Sequence, residues 1–74
     1  MQLIQVESSM IYTVGYDEES QTMEVVFNNG GVYRYFDVPK DVYEGLLAAE
    51  SKGRYMRANV IDLYPYAKGR GKRR

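Results

Sequence analysis

Met23-Glu24-Val25-Val26-Phe27-Asn28-Asn29-Gly30-Gly31-Val32-Tyr33-Arg34-Tyr35-Phe36 decides how the rest of the chain is read. Two runs rich in β-branched and aromatic residues flank a cluster of asparagines and glycines, the pattern of a β-hairpin. A three-residue loop, Asn28-Asn29-Gly30 with Gly30 left-handed, is a common connection of this kind. It sets Glu24 opposite Arg34 and Val26 opposite Val32 on one face. The other face then carries Met23, Val25, Phe27, Tyr33 and Tyr35. A two-residue Asn29-Gly30 loop would pair Val25 with Arg34 and Glu24 with Tyr35 instead. Opposite charges and matched apolar pairs each contribute about 0.2–1 kcal/mol across strands, so the three-residue loop is favoured.

Working outward, Leu3, Ile4 and Val6 suit a short first strand ending at Ser8-Ser9. Residues 10–16 read as a second strand on β propensity. A four-residue turn at Asp17-Glu18-Glu19-Ser20 would set Tyr16 opposite Gln21 and Val14 opposite Met23, with Tyr12, Val14 and Tyr16 on the core face. Gly15 within that strand signals a bulge or a close neighbour. Beyond the hairpin, Asp37-Val38-Pro39 ends the last strand and starts a helix over 39–50, with Asp41 and Glu44 near its positive end. Val42, Leu46 and Ala49 recur at helical spacing, and Tyr43 and Leu47 widen the stripe. Gly45 costs about 1 kcal/mol relative to alanine, which a close approach to the sheet would offset. Ser51 is a good cap for a second short helix, Lys52 to Ala58. Asn59 to Tyr64 is read as extended, and the chain from Ala67 onward as disordered. The expected fold class is therefore α+β. A small antiparallel β-meander of three to four strands packs against one helix, with a second short helical segment. Phe27, Tyr33, Val25, Leu46 and Val42 are expected at its centre. Val26 and Val32 are expected on the far face, partly exposed.

Seventy-four residues make one domain of limited burial. The division is a folded unit over 1–66 and a basic tail over 67–74. With no cysteine and no histidine, disulfides and the common zinc spacings are excluded. The chain has eight tyrosines and no tryptophan, so tyrosine must supply much of the aromatic area of a small core. The zero net charge hides a split. Residues 1–66 hold all ten acidic residues against five bases, a net −5, and residues 67–74 hold five bases, a net +5. Such asymmetry suggests an anionic partner for the tail. The apolar runs are too short to span a membrane, and the N-terminus does not read as a signal peptide. The expected location is the cytoplasm.

Val6-Glu7-Ser8-Ser9, Gly15-Tyr16-Asp17, Met23-Glu24-Val25-Val26-Phe27 and Gly30-Gly31-Val32-Tyr33-Arg34-Tyr35 together resemble the KTSC domain family. So do Val38-Pro39, Tyr43, Ser51-Lys52-Gly53-Arg54-Tyr55 and Tyr64-Pro65, and the resemblance covers residues 6–66. The family takes its name from copies fused to the C-terminus of lysyl-tRNA synthetases, and it also occurs as free-standing bacterial and phage proteins. The resemblance implies the fold and, by association, a role in binding RNA. It brings no catalytic residues. In its last third the chain departs from the family pattern: Ile61 stands where members often have arginine, and Arg57 adds a charge. Arg54 and Arg57 are candidates to replace the usual arginine.

The remaining chemistry follows from the inventory. Without His or Cys there is no familiar base–nucleophile pair, and Asp17-Glu18-Glu19 reads as a solvated tip, so catalysis is not expected. Those carboxylates also lack the ligand spacing of a calcium loop, and no metal site or cofactor is expected. Nucleic-acid binding needs rings on which bases stack and cations that meet phosphates. The candidates are Lys52, Arg54, Tyr55 and Arg57, then Lys68, Arg70, Lys72, Arg73 and Arg74, with Tyr64 and Tyr66 nearby. Against this, Tyr55 and Tyr64 serve equally well as core residues, and the folded body is acidic. The competing expectation is a protein partner or self-association through Val26, Val32 and Arg34 on the outer sheet face. Capture of a small nucleotide by aromatic and arginine side chains is a third.

Overall fold

A computed structural model describes residues 3–6 and 10–69. Its elements run β1 (Leu3–Gln5), β2 (Ile11–Asp17), β3 (Thr22–Phe27), β4 (Val32–Tyr35), α1 (Lys40–Ala48), α2 (Lys52–Asn59) and β5 (Tyr66–Lys68). The strands form one five-stranded antiparallel sheet in the order β1-β2-β3-β4-β5. The class is α+β as expected, with one strand more than the sequence suggested.

The β3–β4 hairpin closes in the expected register, Glu24 opposite Arg34 and Val26 opposite Val32. Gly30 takes φ 95°, a left-handed conformation that glycine adopts without a side-chain clash. Its N–H donates to the Phe27 carbonyl at 2.9 Å, and the Phe27 N–H donates to the Gly31 carbonyl at 2.8 Å. The Asn29 side chain accepts from the Gly31 N–H at 2.9 Å and braces the loop.

The β2–β3 hairpin differs from expectation by a slip of two. Tyr16 faces Met23 and Val14 faces Val25, so the loop is Glu18 to Gln21. Asp17 explains the shift. Its carboxylate accepts from the Glu19 N–H and the Ser20 hydroxyl, organising the turn from the end of the strand, and Gln21 takes the left-handed corner at φ 55°. A slip of two preserves the faces, because strand side chains alternate with period two. A bulge between Ile11 and Thr13 does change a face. Ile11 enters the core at 0 % exposure and Tyr12, expected inside, lies 51 % exposed. Gly15 is not the bulge; it sits in register between Leu3 and Glu24.

Helix α1 begins after Pro39, which occupies the cap position, with Asp41 in the first turn. Helix α2 begins after Ser51, whose hydroxyl accepts from the Arg54 N–H. The two helices pack through Gly45, where a Cβ would lie 2.2 Å from the Tyr55 hydroxyl oxygen. Glycine here admits the neighbouring helix rather than the sheet. The Tyr55 hydroxyl donates to the Val42 carbonyl at 3.0 Å and locks the pair.

The core lies between the helices and one face of the sheet. Ile11, Val14, Met23, Val25, Val38, Leu46, Met56 and Val60 are fully buried. Each such side chain contributes about 1.5–3 kcal/mol by leaving water. Val25 and Leu46 hold the expected central positions, while Phe27, Tyr33 and Val42 pack only at its margin. Residues 60–64 turn rather than extend, with Asp62 at φ 72°, and return the chain to the sheet. Ala67 and Lys68, expected to begin a disordered tail, belong instead to β5, and the Gly69 N–H donates to the Val32 carbonyl at 2.6 Å. Backbone pairing to an open edge needs no apolar side-chain pattern, which is why the pattern missed it. Arg70, Lys72, Arg73 and Arg74 lie outside the described residues. No helix among the described residues is long and apolar enough to cross a membrane.

Candidate nucleic-acid interface

Strand β5 completes a feature that the sequence does not announce. Tyr66 sits opposite Tyr35 and Lys68 opposite Tyr33, so all four project from the same face as the core. This edge of the face is only partly covered: Tyr35 is buried and Tyr33 half-buried, while Tyr66 and Lys68 are exposed. Tyr33 packs edge-on to Phe27 with centroids 5.4 Å apart and lies 5.5 Å from Tyr66. The Lys68 ammonium stands 6.0 Å from the Tyr33 ring centre, within cation–π range. Tyr66 is 58 % exposed and presents its ring to solvent.

These rings floor a recess of about 340 Å³ bounded by Met10, Phe27, Asn29, Tyr33, Tyr35, Ile61, Asp62 and Tyr66. That volume is at the small end of ordinary ligand sites. Met10, Phe27 and Asn29 also border a second hollow that ends at Arg57. Arg57 and Met10 in turn border a third, with Glu50, Ser51, Lys52, Gly53 and Arg54. The three hollows adjoin one another at Met10, Phe27, Asn29 and Arg57, and with Lys68 beside Tyr33 they form a track of neighbouring depressions from Arg54 and Arg57 past Phe27 to Tyr33 and Tyr66.

The expected basic residues divide between this track and the scaffold. Arg54 and Arg57 are exposed on α2 and line the track. Lys52 has a structural task as well: its ammonium donates to the Ala49 carbonyl at 2.9 Å, satisfying the end of α1. Tyr55 is not a stacking platform, because its ring is wedged between the helices. Burial, then the nearby Asp41 and Tyr64, hold its hydroxyl above the ordinary tyrosine range. Tyr64 is half-buried against the core. Within the recess, burial and then Tyr33, Tyr66 and Asp62 push the Tyr35 hydroxyl up, so it remains a protonated donor at neutral pH. The rings that line the recess are Phe27, Tyr33, Tyr35 and Tyr66. Phe27 and Tyr33, expected at the centre of the core, are half-buried at its margin, because periodicity assigns a side chain to a face without saying what covers it there.

The outer sheet face corrects a second expectation. Val26 is half-buried, but Val32 is 7 % exposed, with Gly69 packed against its side chain. Arg34 donates to Glu24 at 3.0 Å and remains largely in solvent. A shallow depression beside this pair is lined by Leu3, Asp17, Ser20, Thr22, Glu24, Arg34 and Phe36. Among the described residues there is no group of three side chains placed to hold a metal ion.

The family model described as the KTSC domain matches residues 7–64. The chain belongs to the KTSC domain family. A protein of Tsukamurella paurometabola is 46 % identical over 55 residues, covering 74 % of this chain and 82 % of that protein. A lysine–tRNA ligase of Nostoc punctiforme is 42 % identical over 53 residues, covering 72 % of this KTSC domain but only 9 % of the ligase. The crystal structure of a KTSC domain protein from Yersinia pestis superposes with a TM-score of 0.91 at 30 % identity, covering 93 % of this chain and 97 % of that one. The five-strand, two-helix arrangement is thus a KTSC fold.

Proposed function

We propose that this KTSC domain is a non-catalytic module of the cytoplasm that binds single-stranded RNA along the track. Bases stack on Tyr66, Tyr33 and Phe27, while Arg57, Arg54 and Lys68 meet phosphates. The basic residues Arg70, Lys72, Arg73 and Arg74 follow Lys68 in the sequence and extend the positive end. The observation that carries this reading is the succession of adjoining hollows, with aromatic rings in the middle and cations at both ends, on a body that is otherwise acidic. A like-charged body confines a polyanion to the one path where cations line it. The ligase kinship supports the same reading, since an enzyme named for tRNA carries a related segment. Contact with a protein or a second copy through Val26, Val32 and Arg34 has less to draw on, because Val32 is buried and Arg34 is already paired.

Fluorescence anisotropy with a labelled single-stranded RNA, titrated across salt, tests the proposal. Each neutralised phosphate adds about 0.7 to the logarithmic salt slope. Arg54→Ala with Arg57→Ala flattens the slope by about 1.4 on that scale. Tyr66→Ala weakens binding by about 1–3 kcal/mol, the worth of one stacked base. Truncation after Gly69 removes the distal cations while keeping β5, and both affinity and slope fall. A folded protein that binds no RNA at low salt overturns the proposal.

A further inference from the structure

The aromatic recess contains one side chain that a polyanion site should exclude. Asp62 lies on its wall with Ile61 and Tyr66, and it is the one acidic residue among those that bound it. Its position is built in. The Val60 and Ile61 N–H groups both donate to the Met56 carbonyl, at 2.9 and 2.7 Å, and the Leu63 N–H donates to the Val60 carbonyl at 3.0 Å. Between these bonds Asp62 adopts φ 72°, a left-handed conformation in which aspartate and asparagine are several-fold enriched. The carboxylate is near enough to Tyr35 to help raise its pKa.

A carboxylate only accepts hydrogen bonds, and it repels phosphate. On a path whose cations sit at its two ends, the group that meets Asp62 is therefore a base edge. The edges differ. Guanine presents N1–H and N2–H side by side, two parallel donors that match two carboxylate oxygens. Adenine and cytosine offer an amino group beside a ring acceptor, and uracil offers one N–H between two carbonyls. Asn29, which also lines the recess, already uses its side-chain oxygen to accept from the Gly31 N–H. What it offers a ligand is N–H, which suits the guanine O6. Resting on the RNA-binding reading, we propose that the recess is a guanine-selective subsite of a single strand. Tyr66, the exposed ring, stacks the base, Tyr33 bounds it at a tilt of 44° to Tyr66, and Asp62 reads its donor edge.

The test compares oligouridylates of equal length carrying one central guanosine, inosine, adenosine or cytidine. Guanosine is expected to bind about fivefold or more tightly than uridine, the lower end of what a bidentate base contact provides. Inosine, which lacks the N2 amino group, falls between them. Asp62→Asn keeps a residue suited to the left-handed turn. It should abolish the guanosine advantage while binding plain oligouridylate more tightly, because a repulsive charge is gone. Those opposite movements cannot come from misfolding. Equal binding of all four probes by the wild type, or a guanosine preference that survives Asp62→Asn, overturns the subsite and leaves RNA binding standing. Guanosine and uridine monophosphates, titrated against backbone amide resonances, test it without a strand. Guanosine-specific shifts at Ile61, Asp62 and Tyr66 with no oligonucleotide binding would uphold the subsite and sink the RNA reading. No shifts and no oligonucleotide binding overturn both.

Discussion

The inner face of the sheet is one surface with two fates. Under α1 and α2 it is aliphatic and dry: Val14, Met23 and Val25 meet Leu46 and Met56 with nothing exposed. Along the β4–β5 edge the same face carries Tyr33 and Tyr66, with Phe27 packed against Tyr33, and there Tyr66 lies 58 % exposed. The two ends share strands, register and hydrogen-bonded frame. They differ in what lies above. Helices α1 (Lys40–Ala48) and α2 (Lys52–Asn59) bury Leu46 and Met56 over the first region, whereas the second is bounded by the turn residues Ile61 and Asp62. The lesson is that a large aromatic residue on a core-facing strand belongs to the core only as far as a second layer extends over it.

Substitutions that separate the two ends sharpen this comparison. Leu46→Ala, under the helices, should cost about 2–5 kcal/mol in urea denaturation, because it leaves a cavity in a closed core. Phe27→Ala, at the boundary, should cost less despite the larger side chain lost. A Phe27 variant as damaged as Leu46→Ala would mean that the recess is closed in solution.

The helix–helix contact provides the next test. Gly45→Ala places a Cβ 2.2 Å from the Tyr55 hydroxyl oxygen, forcing that ring from its bond to Val42. The expected loss is about 1–3 kcal/mol, the usual cost of overpacking. In a Tyr55→Ala background the sign should reverse, since alanine favours the helix over glycine by about 1 kcal/mol. A double-mutant cycle reads the coupling directly, and additive effects would dismiss the contact.

Alkaline pH probes both ends together. Burial holds the hydroxyls of Tyr43 and Tyr35 above the ordinary value near 10, and it does so for Tyr16 and Tyr55 as well. The folded state therefore holds these protons more tightly than the unfolded chain. Their stabilisation is fully present below about pH 10 and is lost as pH rises through the folded values. Lys40, raised by its bond to Glu18, titrates in the same direction. Thermal unfolding followed from neutral pH upward should show Tm constant to about pH 9.5 and falling beyond it. A decline that begins near neutrality would contradict this.

The smallest effect on stability is expected at the open end. Tyr66→Ala removes ring contacts to Tyr33 and Tyr35 on an exposed edge strand, worth about 0.5–1.5 kcal/mol. A larger loss would place Tyr66 in the core and remove it from the candidate interface.

Much of the fold was legible because it is encoded locally. Asn28-Asn29-Gly30 dictates its own loop, and that loop sets the pairing of Glu24 with Arg34. Ser51 caps α2 through its own hydroxyl, and Pro39 marks where α1 begins. The candidate site was legible only in part: Arg54, Arg57 and Lys68 were named, whereas Tyr55 proved to be a wedge between helices, and Asp62 carried no signal.

What the sequence by itself determined is the class, the central hairpin, the order of elements from β1 to α2 and the family resemblance, all products of short-range backbone preference and side-chain periodicity. The tertiary structure alone decided three further things: that Ile11 rather than Tyr12 turns inward, that Tyr66–Lys68 becomes the fifth strand, and that one end of the inner face stays open. Each depends on contacts between residues far apart in the chain. A bulge turns on which partner strand is present, an edge strand on an unpaired neighbour, and an open face on what packs above it.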